Sequence, residues 1–136
     1  MTRAPIVVVA AIVERANLIL VTRRLDGTHL AGLWEFPGGK CEPGETHEQS
    51  LARELREELD VVAQVGPELF TVQHDYADRT VRLHFRYCSV EGEPRPMLGQ
   101  QIRWVTREEL SGLEFPAADR ELIERLRHEP AWKPGA

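Results

Sequence analysis

The stretch that most limits how this chain can fold is Trp34–Val61, WEFPGGKCEPGETHEQSLARELREELDV. It changes character at Thr46. Before that point, Phe36-Pro37-Gly38-Gly39 predicts a turn, because two glycines allow backbone conformations and close approaches that a Cβ forbids. After it, Thr46-x-x-Gln49 forms a capping box, and Leu51, Leu55 and Leu59 repeat at i, i+4 and i+8 as a buried stripe. Asp60 ends the pattern with a residue type that tolerates the left-handed conformation at a helix terminus. A helix with one apolar face must lie on something, and the flanking sequence supplies strands.

Residues 5–13 (PIVVVAAIV) read as a strand buried on both faces, and 18–24 (LILVTRR) as its hairpin partner across a short polar break. Residues 25–32 form a loop. A long strand over 62–76, broken near Gly66-Pro67, precedes a second over 80–90, in which Val81, Leu83, Phe85 and Tyr87 alternate with polar residues. After a Gly- and Pro-rich loop over 91–99 come a short strand at 102–105 and a second capping box at Thr106. An amphipathic helix over 117–128 turns Leu122, Ile123 and Leu126 inward, and the tail is expected to fray from Pro130. The reading is one α/β domain over 1–136, with a mixed sheet covered by helices.

A net charge of −5 gives no global basic surface for nucleic acid. The apolar run at 5–13 is too short to span a bilayer and lacks a leader, so no membrane contact is expected. Cys41 and Cys88 form no framework, which suggests a reducing cytoplasm. His29, His47, His74, His84 and His128 show no zinc spacing and read as surface or structural residues. A monomer and a homodimer both remain open.

Glu54, Glu57 and Glu58 share one helix face, where like charges repel. Two readings are compatible with this: a solvated acidic face partly neutralised by Arg53 and Arg56, or an oxygen-ligand site for Mg2+ or Mn2+. The Gly38-Gly39 turn could bring a backbone carbonyl to such an ion and admit a phosphate chain. It lacks the Walker order, and Glu45 and Glu48 oppose anion binding at the helix start.

Gly39–Val61 resembles the Nudix box, G-x5-E-x7-R-E-U-x-E-E-x-G-U, departing only at Asp60. The WEFPGGK run, the opening strands and Phe115–Asp119 (FPAAD) resemble the MutT branch. The resemblance implies an α/β/α sandwich around a mixed central sheet. It also implies metal-dependent hydrolysis of a nucleoside triphosphate to monophosphate and pyrophosphate, with Mg2+ as cofactor and Mn2+ as a substitute. By position, Gly38 (through its carbonyl), Glu54, Glu57 and Glu58 would be metal ligands; Arg53 would orient the glutamates and Glu45 would support them. Relatives often add a carboxylate from the loop before Trp104. That loop here has none, leaving Gln100 or a helix glutamate for the task.

Expected substrate contacts are Arg24, Phe36, Gly39, Lys40, Tyr76 and Asp119. Asp119 bears on the choice of base. The branch that removes 8-oxo-dGTP has Asn at this position, whereas a relative active on CTP, dCTP and oxidised pyrimidine nucleotides has Asp. An ionised Asp only accepts hydrogen bonds, which suits an exocyclic amine such as cytosine N4. A protonated one could read 8-oxoguanine, and a helix N-cap is the plain structural alternative. A Nudix hydrolase of another substrate such as ADP-ribose, and a catalytically silent nucleotide-binding module, are the competing functions.

Overall fold

The computed structural model describes residues 4–25 and 32–134. Strand β1 (Ile6–Arg15) turns through Ala16 and Asn17 into β2 (Leu18–Arg23). Both turn residues have positive φ, 53° and 66°, the geometry that lets a two-residue hairpin follow the twist of its strands. Two short strands follow, β3 (Trp34–Glu35) and β4 (Gly38–Lys40), then helix α1 (His47–Leu59). The antiparallel pair β5 (Val62–Asp75) and β6 (Thr80–Glu91) comes next, then β7 (Gln101–Val105) and the single turn α2 (Arg107–Leu110). A 3-10 turn (Ala117–Asp119) leads into α3 (Arg120–His128).

The sheet runs β3-β2-β1-β6-β5, with β4 added to β1 and β7 to β2. Among the described residues only β1 and β6 pair in parallel, Ile6 opposite Val81 through Val13 opposite Cys88. Alternation along β1 builds two cores. Val9, Ala11 and Val13 meet Leu51, Leu55 and Leu59 of α1 on one face. Ala10 and Ile12 meet Phe36, Phe85 and α3's Leu122 and Leu126 on the other. The three α1 leucines are fully buried, each contributing roughly 2 kcal/mol of transfer free energy before entropy is counted. This is the expected α/β/α sandwich.

The local expectations hold closely. Thr46 and Thr106 both close capping boxes, and Asp60 sits at φ 55° and ψ 45°. Three expectations need correction. The turn at 36–39 continues as strand β4, with Gly39 opposite Val9, because glycines permit a backbone approach that side chains would block. A Cβ on Gly38 would overlap the Val9 carbonyl oxygen. The C-terminal helix begins as a 3-10 turn and becomes α-helical only at Arg120. Residues 130–134, expected to fray, are tied down: Trp132 stacks on Tyr87 at 5.3 Å, and its backbone N–H donates to Glu14. Most of the loop expected at 25–32 lies outside the described residues. Among those described, no helix is long and apolar enough to cross a membrane.

Candidate active site

Helix α1 carries the charged ridge, and Arg53 holds it together. Its guanidinium donates to both Glu45 oxygens at 2.7 and 3.0 Å, to Glu54 at 3.0 Å, to Glu57 at 3.3 Å and to the Lys40 carbonyl at 3.2 Å. The paired bonds hold the Glu45 carboxyl down at about 2, helped by the Glu42 backbone N–H. Arg53 therefore fixes the β4 backbone, Glu45 and the acidic face of α1 in one arrangement.

The remaining carboxylates are under tension. Burial, then the charges of Glu54 and Glu35, push Glu58 up to about 8, while the Gly38 backbone N–H pulls the other way. Burial also raises Glu54. Gly39 makes the room: a Cβ there would lie 2.5 Å from the Glu54 carboxyl carbon. Oxygen-only donors, partly buried and mutually repelling, beside backbone without side chains, fit a hard divalent cation. Glu54 and Glu58 lie together. Glu57 is tied to them through Arg53, and its side chain is exposed. Gly38 meets Glu58 through its N–H, whereas its carbonyl had been expected to serve.

Gln100 is engaged at the end of α1. Its side-chain amide donates to the Glu58 backbone carbonyl at 3.0 Å and accepts from the Leu98 N–H at 2.9 Å, closing the end of α1. The charge of Glu35 on β3 also reaches Glu58. Sequence reasoning gave it no role. The available signal was an acidic residue between Trp34 and Phe36, on a strand adjoining the one that leads to Arg24. Burial raises Glu35, and a 2.7 Å ion pair with Arg24 opposes that.

A cavity of about 500 Å³ opens beside this cluster. Arg24, Phe36, Gly39, Lys40, Tyr76 and Asp119 all line it, so every expected substrate contact faces one space. Arg23, the neighbour of Arg24, turns away to the Gly32 carbonyl. Phe36 is stacked on Phe115 at 5.2 Å and braced edge-on by Phe85, which fixes the apolar wall. Asp119 occupies the N-cap position of α3 but makes no capping hydrogen bond. The residue is 5% exposed, and burial, then the Glu35 charge, pushes its carboxyl up to about 7, with Arg24 opposing. Glu35 thus acts electrostatically on both the acidic ridge and Asp119. Among the histidines, His47 and His84 come into contact despite their spacing, His74 packs on Tyr76, and His29 lies outside the described residues.

A family profile described as "NUDIX domain" matches residues 8–125. A CTP pyrophosphohydrolase of Escherichia coli is 38% identical over 128 residues, covering 93% of this chain and 95% of the relative. An 8-oxo-dGTP diphosphatase of Haemophilus influenzae is 42% identical over 114 residues, covering 82% of each. The solution structure of the E. coli ORF135 protein superposes with a TM-score of 0.83 at 38% identity, covering 96% of this chain and 94% of that one.

Proposed function

This chain belongs to the Nudix family, and from that premise we propose that it hydrolyses a nucleoside triphosphate to the monophosphate and pyrophosphate as a nucleotide-pool-sanitising enzyme. The observation that carries this reading is the Arg53-braced acidic ridge beside a cavity lined by Asp119.

Nudix hydrolases depend on divalent metal, and here Glu54, Glu57 and Glu58 would hold Mg2+, which supplies charge neutralisation along the phosphate chain and a positioned water. The protein's own groups do the rest. Arg53 keeps Glu54 and Glu45 in fixed rotamers, so little reorganisation is needed as charge develops. Lys40 and Arg24 present positive charge to the phosphates from the cavity wall. Phe36 and Tyr76 flank a base, and Asp119 reads its edge. Water adds to a phosphorus, the anhydride P–O bond breaks, and pyrophosphate leaves.

A steady-state panel with Mg2+ tests the proposal, using 8-oxo-dGTP, CTP, dCTP, 5-hydroxy-dCTP and ADP-ribose. Monophosphate and pyrophosphate should appear from at least one triphosphate. Cleavage of ADP-ribose alone, or tight nucleotide binding without hydrolysis, would overturn it.

Gly39→Ala provides a local check. The added Cβ must displace the Glu54 carboxylate, the flexible partner in that contact. Turnover should fall about 10²-fold, the cost of misplacing a catalytic group by roughly 1 Å, with little change in melting temperature. Unchanged turnover would remove Glu54 from the machinery.

A further inference from the structure

Three residues from three elements meet on the face of the β5–β6 pair: His47 in the first turn of α1, Glu68 on β5 and His84 on β6. One nitrogen or carboxylate oxygen from each lies within 4.8 Å of the others. The imidazole rings of His47 and His84 are 4.3 Å apart, and His84 Nδ1 lies 2.6 Å from Glu68 Oε1. Register shifts flank Glu68 on both sides, between Val65 and Glu68 and again before Phe70. Such irregularities re-aim side chains, and this one turns the Glu68 carboxylate onto the His84 ring.

We infer that His47, Glu68 and His84 form a second cation site, selective for zinc, that pins the start of α1 to the β5–β6 pair. Two imidazoles and a carboxylate are one of zinc's established three-residue donor sets, with water completing the tetrahedron. The softer nitrogen ligands separate this site from the oxygen-only ridge, which suits Mg2+. Seven residues of helix, about 10 Å along its axis, separate His47 from Glu54. Thr71 Oγ1, 3.3 Å from His84 Nδ1, helps fix that ring. Burial holds His47 below its ordinary value, which favours the neutral, ligating form. The nearby Arg86 opposes a cation, but its charge is engaged by Glu48 at 3.1 Å and its Nε by the Gly66 carbonyl at 2.9 Å. Zinc binds only neutral imidazoles, so affinity should fall as pH drops through the histidine range.

The test is calorimetric titration of ZnCl2 into the tag-free full chain under saturating Mg2+, with thermal melts alongside. One zinc equivalent should bind and raise the melting temperature. His47→Gln and His84→Gln should each weaken zinc binding at least about tenfold while keeping their magnesium-dependent turnover and circular dichroism. Glu54→Gln should leave the zinc equivalent in place. Absence of zinc binding, histidine variants that bind zinc as tightly as the parent, or loss of the equivalent in Glu54→Gln would overturn the inference.

Discussion

Replacing Glu58 with Gln should make the metal-free protein more stable and the enzyme nearly inactive. In the folded chain Glu58 holds its proton up to about pH 8, against 4.5 when unperturbed. The folded state thus binds more protons than the unfolded one between those values. Stability without metal is greatest below about pH 4.5 and falls as pH rises toward 8. At neutral pH the strain is on the order of 2–3 kcal/mol, so the amide should raise the melting point in EDTA by roughly 5–10 °C. The Gly38 N–H can still donate to the amide oxygen, so the fold loses no partner. Turnover should drop about 10²–10³-fold, the range for removing one group that manages transition-state charge. Added Mg2+ should stabilise the parent protein more at pH 8 than at pH 5.5, and the variant little at either. A variant that melts lower than its parent in EDTA would show that the carboxylate is not strained.

Asp119→Asn should move the enzyme between substrates. With its carboxyl near pH 7, Asp119 is partly ionised under ordinary conditions. The ionised form only accepts hydrogen bonds, and the protonated form also donates. In the parent enzyme, the ratio of kcat/KM for dCTP to that for 8-oxo-dGTP should therefore rise as pH increases from 6 to 8. The variant should lose this dependence and shift the ratio about 10–100-fold toward 8-oxo-dGTP, the worth of one well-made base contact. A ratio independent of pH in the parent and unchanged in the variant would exclude Asp119 as the base reader. The two relatives, named for CTP and for 8-oxo-dGTP, frame the choice that this position is proposed to make.

Local chemistry was the legible part of the sequence. Capping boxes at Thr46 and Thr106, the leucine stripe of α1 and the left-handed Asp60 depend on neighbours within a few residues. What escaped depends on register between distant segments. Strand β4 exists because Gly39 lies opposite Val9, and a glycine pair alone reads as a turn. Glu35 gains its influence by reaching both Glu58 and Asp119 electrostatically, which adjacency along the chain does not reveal. Gln100 is one of two candidates for the missing loop carboxylate by its place in the chain, and only the fold shows its amide bonded to the Glu58 backbone carbonyl at the end of α1. The docking of Trp132 on Tyr87 follows from a surface built forty-five residues earlier.

The parallel ladder between β1 and β6 also governs how the chain is made. Ile6 finds Val81 seventy-five residues downstream. During synthesis at about 5–20 residues per second, β1 waits some 4–15 s before its central partner leaves the ribosome. The whole acidic ridge has emerged by then, on a helix whose floor is incomplete. The apolar run VVVAAIV is meanwhile an unpaired edge, the kind of segment that holding chaperones shield. Release from that exposure comes with the translation of residues 81–88.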